Sequence, residues 1–263
     1  WTASLIGILA SSAIGGAMLA SSADGAKLMT TLGLSQLLLS TDSGATWASY
    51  GPEGWWGSIA SSADGTKILL GGDTGFLWTS ADSGATWTQR EESRMWFSAA
   101  SSADGTKLVA GDYGGYLYTS VDSGVTWIRR ASARSWTALA SSADGTKLVA
   151  AADNDRIYTS TDSGVSWTAR DSARFWRSLA SSADGTKLIA SALGYVCEST
   201  DSGVTWKTSL SGGGLDWSSV TSSADGNRRA ATGGWNKIHT RHGVGLGSWG
   251  VRKFASLELI YTG

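Results

Sequence analysis

The chain has 263 residues, with 21 Lys+Arg against 22 Asp+Glu and a formal charge of -1, so it lacks the basic excess of a nucleic-acid binder. Its 35 Gly argue against a helical protein, because each mid-helix Gly costs about 1 kcal/mol relative to Ala, and its 15 Trp argue against a disordered one. The single cysteine, Cys197, excludes an internal disulfide and a cysteine-based zinc cluster. Short strands joined by glycine turns accommodate both the Gly and the Trp.

Read from the N-terminus, the apolar stretch 5–20 is rich in small residues, holds several Gly and Ser and lacks a basic leader. It reads as buried strands that lead into a repeat, rather than as a targeting or membrane segment. The string Ser-Ser-Ala-Asp-Gly then begins at Ser21, Ser61, Ser101, Ser141, Ser181 and Ser222, a period of about 40 residues. A second string, Ser-x-Asp-Ser-Gly-x-Thr/Ser-Trp, begins at Ser40, Ser80, Ser120, Ser160 and Ser199. A tryptophan precedes the first string in five units, as Trp56, Trp96, Trp136, Trp176 and Trp217.

Within one unit, 136–175, β-prone runs alternate with turns at Asp144-Gly145, Asp153-Asn154-Asp155 and Asp162-Ser163-Gly164. Four short strands per unit, repeated at this period, are the signature of an all-β fold, a β-propeller of four-stranded antiparallel blades. The units run over about 16–55, 56–95, 96–135, 136–175, 176–216 and 217–253 in a single domain, 1–263, the sixth unit being eroded. The remaining segments, 1–15 and 254–263, look like closing strands. They favour a seventh blade shared by the two termini, with six blades as the alternative.

In the second string the aspartates Asp42, Asp82, Asp122, Asp162 and Asp201 can accept turn N–H groups, and the glycine two residues on supplies a left-handed position. The tryptophans Trp47, Trp87, Trp127, Trp167 and Trp206 can then lie over the hairpin and bury a large apolar area. This Ser-x-Asp-x-Gly-x-Thr-Trp pattern resembles the Asp-box, or bacterial neuraminidase repeat, of sialidases, xyloglucan-degrading enzymes and sortilin-type receptors. It is most similar to propellers of the photosystem II assembly/stability factor family. These families share a hairpin and not a chemistry, so the resemblance implies the fold more firmly than an activity. The propellers it resembles are mostly extracytoplasmic, which implies such a location here.

Strand alternation places the Ser-Ser-Ala-Asp-Gly and Asp-box turns on one face and the two-to-three and four-to-one connectors on the other. The first face is nearly constant between units. The second varies, as at 31–35, 73–75, 112–114, 153–155, 193–194 and 233–235, and variable loops on a constant scaffold are where recognition is expected. That face also carries Arg90 and Arg94, Arg129, Arg130 and Arg134, and Arg170 and Arg174. Arg94, Arg134 and Arg174 stand two residues before Trp96, Trp136 and Trp176, a spacing that permits a rim of guanidinium and indole groups for an anionic or sugar-like ligand. Against this, the tryptophans can be inter-blade core, and the arginines can pair with Glu91, Glu92, Asp112, Asp153 or Asp171. Lys27, Lys67, Lys107, Lys147 and Lys187, which follow the first turn, read as solvated strand-edge residues.

Catalytic signals are sparse. Half of the 22 acidic residues lie on repeat turns, and His239 and His242 are the only histidines. A sialidase resemblance would imply an arginine triad, a Tyr–Glu nucleophile pair and an acid Asp. The sole proline, Pro52, excludes an Arg-Ile-Pro motif, and Tyr50 with Glu53 is the one Tyr–Glu neighbourhood. A glycosidase also needs two carboxylates facing across a cleft, which these short loops are poorly suited to build. The sequence therefore points to a non-catalytic interaction module with a protein partner, without cofactor, metal, nucleic acid or direct membrane insertion, its oligomeric state left open. A lectin-like propeller using Trp96, Trp136 and Trp176 is the alternative, and a degenerate sialidase-like glycosidase the third reading.

Overall fold

The computed structural model describes residues 18–32, 36–233, 237–242 and 249–253. The first sheet joins β1 (Leu19–Ser21), β2 (Leu28–Leu32), β3 (Gln36–Ser40) and β4 (Ala48–Ser49), and the second β5 (Trp56–Ser61), β6 (Ile68–Gly72), β7 (Gly75–Ser80) and β8 (Thr88–Arg94). The third runs through β9 (Trp96–Ser101), β10 (Leu108–Ser120), β11 (Ile128–Ser141), β12 (Leu148–Ala152), β13 (Asp155–Ser160) and β14 (Thr168–Arg174). The fourth comprises β15 (Trp176–Ser181), β16 (Leu188–Ser199), β17 (Lys207–Ser222), β18 (Arg228–Gly233), β19 (Lys237–His242) and β20 (Gly250–Lys253). Neighbouring strands are antiparallel throughout, and no helix occurs among the described residues, so the fold is an all-β propeller.

Seven separate four-stranded blades are not what the described residues form: they make four sheets, two of four strands and two of six. The cause is continuity at the connectors. β11 and β17 each run unbroken from the last strand of one repeat into the first strand of the next, which merges two repeats into one sheet. The closing strands expected at 1–15 and 254–263, and with them a shared seventh blade, lie outside the described residues.

The core sits between successive repeats. Ala60, Leu69 and Leu77 of the second repeat pack on Trp96, Leu108, Ala110 and Tyr118 of the third, and the same layering recurs one repeat on around Trp136 and again around Trp176. Because the interior repeats have a neighbour on both faces, their second strands are buried along their whole length, as in β6 and β12. A β-bulge immediately follows the strand-one tryptophan, for example between Trp56 and Ser58 opposite β6 and between Trp136 and Ala138 opposite β12.

The first turn is held by the same small set of side chains in all six repeats, and the second turn by its own set in the first five. In the first, Ser62 Oγ donates to Asp64 at 2.6 Å and accepts from Lys67 N at 3.0 Å, while Asp64 accepts from Thr66 N at 3.0 Å. In the second, Asp122 accepts from Thr126 N at 2.9 Å, Ser120 Oγ accepts from Gly124 N at 2.8 Å, and Trp127 Nε1 donates to Gly124 O at 3.0 Å. The glycine is not alone in the left-handed region: Ser123 at φ 60° precedes Gly124 at φ 83°. With Val125 N bonded to Asp122 O, two successive positive φ values make a type I′ turn, which matches the twist of the flanking strands.

The lysines after the first turn are not free strand-edge charges. Lys67, Lys107, Lys147 and Lys187 each donate to the turn aspartate carbonyl of the next repeat, at 2.8–3.0 Å. Lys27 donates to Ser83 Oγ at 2.9 Å instead. The reason is the backbone contact beneath them. Ala23, Ala63, Ala103, Ala143 and Ala183 each donate an N–H to the equivalent alanine carbonyl one repeat ahead, at 2.7 Å, which brings adjacent turns within reach of the lysine head group.

Candidate functional site

The variable face is assembled by a second recurring backbone contact. Asp73, Tyr113, Asp153 and Leu193, in the two-to-three connectors, donate their N–H to the carbonyls of Trp55, Met95, Ser135 and Phe175, which precede the strand-one tryptophans. Each two-to-three hairpin is thereby tied to the four-to-one connector beside it.

The arginines are aimed by a distortion that sequence periodicity did not reveal. Glu91, Ala131 and Asp171 have φ of 50°, 51° and 48°, a left-handed conformation that costs roughly 1–2 kcal/mol in a non-glycine residue. At each, the fourth strand bulges: Leu77 pairs with Arg90 and Gly75 with Arg94, so two residues of strand three oppose four of strand four. The same step separates Arg130 from Arg134 and Arg170 from Arg174. Before the bulge, Arg90, Arg130 and Arg170 donate Nε to Thr79, Thr119 and Thr159 at 3.0–3.1 Å, inside their own repeats. After it, Arg94, Arg134 and Arg174 fold back over the aromatic layer.

These three arginines are neutralised locally. Arg94 pairs with Glu92 at 2.9 Å and with Asp112 at 3.7 Å, its guanidinium 5.2 Å from the Tyr118 ring centre. Arg134 pairs with Asp155 at 2.8 Å, donates to Tyr158 Oη at 2.7 Å, contacts Ser132 Oγ and lies 4.5 Å from the Tyr158 ring centre. Arg174 pairs with Asp171 at 3.8 Å and lies over Tyr195 at 4.9 Å. Of the acids anticipated as partners, Glu92, Asp112 and Asp171 take that role, and Asp155 takes it in place of Asp153. Burial pushes the Asp112 carboxyl up, opposed by Arg94, and also raises the Tyr118 and Tyr158 hydroxyls.

The structure corrects the indole half of the expected rim. Trp96, Trp136 and Trp176 are 0% exposed, so they offer no flat face to a ligand. Trp96 and Trp136 meet Tyr118 and Tyr158 edge-on at 5.1 and 5.4 Å, and Trp176 meets Trp206 at 6.5 Å. The physical reason is the packing between repeats: a strand-one indole fills the space between its own sheet and the preceding one. The Asp-box tryptophans take the outer edge of the same layer. Trp87, Trp127, Trp167 and Trp206 are half-buried, and Trp47 is exposed.

What the face does expose is a different set of side chains. Trp55, Met95, Tyr113, Phe175, Leu193 and Tyr195 are 36–55% exposed, and the first five lie at, or bond to, the connector positions just described. Their signal was present in the sequence as an apolar residue directly before the strand-one tryptophan (Trp55, Met95, Phe175), but beside an indole it reads as part of the buried run. Between the third and fourth repeats, Arg134, Tyr158, Val165 and Trp167 line a cleft of about 310 Å³. It is open where Ala131 and Ala169 stand in the positions held by Glu91 and Arg129 one repeat earlier. Among the described residues, no three His, Cys, Asp or Glu side chains come together as a metal site.

No protein-family model matches the chain, and no curated protein matches it by sequence. Solved structures do. YCF48 bound to a D1 peptide superposes with a TM-score of 0.66 at 16% identity, covering 92% of this chain and 86% of that one. The β-propeller domain of Cps50 (Swd1) from Myceliophteria thermophila gives 0.68 at 14% identity, over 89% and 85%. An ancestral GH74 enzyme gives 0.67 at 15% identity, covering 94% of this chain but 39% of its own, so this chain spans well under half the length of that enzyme. At these identities the likeness establishes the propeller fold.

Proposed function

We propose that this chain is a non-catalytic propeller that binds a protein partner through its variable face. The observation that carries this reading is the contrast in what that face presents. The guanidiniums of Arg94, Arg134 and Arg174 are paired within the molecule, while large apolar side chains stand exposed at the positions that differ between repeats. Exposed aromatic and aliphatic groups with paired arginines between them suit a protein surface, where such residues supply most of the binding energy. YCF48, which is similar in shape and was solved bound to a D1 peptide, lends support to the reading. The repeated turn, with its aspartate, left-handed Ser-Gly pair and covering indole, is read here as the Asp-box, and an extracytoplasmic location belongs to the same proposal.

A glycan-binding reading rests on one feature, the cleft of about 310 Å³ beside the half-buried Trp167. A glycan array probed at low and high salt, with Arg134→Ala alongside, separates the two. A blank array is the expected result. Salt-resistant binding to defined sugars would replace the protein-docking reading with a lectin, and binding lost at high salt and weakened in the variant would make the arginines a general anion dock.

A further inference from the structure

The junction between the fifth and sixth repeats is built differently from those before it. From the third repeat to the fifth, the turn glycine is covered by a threonine methyl from the preceding repeat and a leucine of its own repeat, and at Gly84 of the second repeat Leu39 and Ile68 take these two places. The threonine and leucine are Thr79 and Leu108 at Gly124, Thr119 and Leu148 at Gly164, and Thr159 and Leu188 at Gly203. At the next junction three positions change together. Glu198 stands where Thr79, Thr119 and Thr159 stand in earlier repeats. The pairing of Arg229 with Arg241 matches that of Leu148 with Ser160, so one arginine replaces the leucine and the other the turn serine.

These three residues meet one another. Arg229 Nη1 lies 2.8 Å from Glu198 Oε1, and Arg241 Nη1 lies 2.5 Å from Oε2. Arg229 Nε also donates to Gly226 O at 2.9 Å. Their side chains are 7%, 7% and 4% exposed for Glu198, Arg229 and Arg241.

Removing three charges from water costs about what their mutual attraction returns, so such a triad adds little net stability, whereas an unpaired buried charge is strongly destabilising. Its consequence is selectivity. A fifth repeat set against an earlier repeat would face Leu or Ile and Ser with Glu198, and a sixth repeat set behind an earlier one would face Thr, or Leu39 in the first repeat, with two guanidiniums. Selectivity matters in this chain because residues 101–110 and 141–150 are identical in sequence, and interchangeable surfaces invite pairing with the wrong repeat or with a second copy. We propose that Glu198, Arg229 and Arg241 form an ionic key that makes the sixth repeat the one surface the fifth accepts. The key acts whether or not the variable face binds a partner.

The test compares the parent protein, Glu198→Gln, and the triple exchange Glu198→Thr/Arg229→Leu/Arg241→Ser, which installs the earlier junctions' residues. Each is refolded from denaturant and examined by thermal melting and by size-exclusion chromatography with light scattering. Glu198→Gln is expected to lower Tm by on the order of 10 °C, because it leaves two buried guanidiniums uncompensated. The triple exchange is expected to recover the parent Tm to within about 4 °C, yet to refold into several assembly states where the parent gives one. A triple exchange that refolds to the parent's single species would overturn the proposal, as would Glu198→Gln melting with the parent. A triple exchange that no longer folds would show that the ions supply stability instead of selection, and would overturn it as well.

Discussion

The two faces of the propeller use their glycines and hydrogen bonds to different ends. On the turn face, Gly164 at φ 84° is enclosed, and an added Cβ would meet Thr119 Cγ2 at 2.6 Å. On the variable face, Gly114 at φ 81° has nothing within 4 Å. The turn face is a set of interlocked contacts between repeats, closed by the alanine backbone bonds and the lysine contacts. The variable face needs only its backbone tie, which leaves its side chains free to differ. The lesson is that constancy between repeats follows from contact across repeats, and variation appears where those contacts stop.

The comparison can be broken at several levels. The largest loss is expected from Trp136→Ala, which empties a fully buried inter-repeat site and should lower unfolding free energy by roughly 3–5 kcal/mol in denaturant titration. Gly164→Ala should cost about 2–4 kcal/mol, combining left-handed strain with overpacking against Thr119. Gly114→Ala, with the same strain and open space, should cost only about 1 kcal/mol. Equal losses at the two glycines would remove the distinction between the faces. Tyr113→Ala should cost less than about 1 kcal/mol, because its ring is partly exposed and its aromatic contact, Phe97 at 5.3 Å, lies within its own repeat.

Acid should also act on the turn face first. The Asp42, Asp82, Asp122 and Asp162 carboxyls are held down to about 2 by the hydroxyl of the Thr or Ser four residues on, by that residue's N–H, and by the box serine. A carboxyl whose folded pKa lies below its unfolded value of about 3.9 stabilises fully above that value and loses the contribution as pH falls toward 2. Protection of the Thr46, Thr86, Thr126 and Ser166 amides, taken relative to the intrinsic exchange rate at each pH, should therefore fall below about pH 4, ahead of the variable-face tie at Tyr113.

Much of the fold was legible because the repeated strings encode local chemistry. Asp, Ser, Gly and Trp at fixed offsets are the four parts of the turn, and their period gives the propeller. The sheet count was not legible, because the continuity of β11 and β17 through their connectors depends on backbone pairing that composition does not mark. The fate of Lys67 and its equivalents was hidden for a similar reason, since their acceptors lie one repeat away. At the candidate site, the arginines were found by spacing, but the left-handed Glu91, Ala131 and Asp171 that aim them carry no common residue type. Trp96, Trp136 and Trp176 were readable as core or as rim, and only the packing between sheets decides for core.

The most direct test of partner docking through the variable face is site-specific photo-crosslinking in the cells that produce the protein. One probe replaces Tyr113 on the variable face, and a control probe replaces Val125, which is more exposed, on the turn face. A discrete protein adduct at position 113, absent at 125 and lost when Met95 and Phe175 are also changed to Ser, is the predicted result. An adduct confined to position 125, or none at 113 with the parent protein intact, would contradict it.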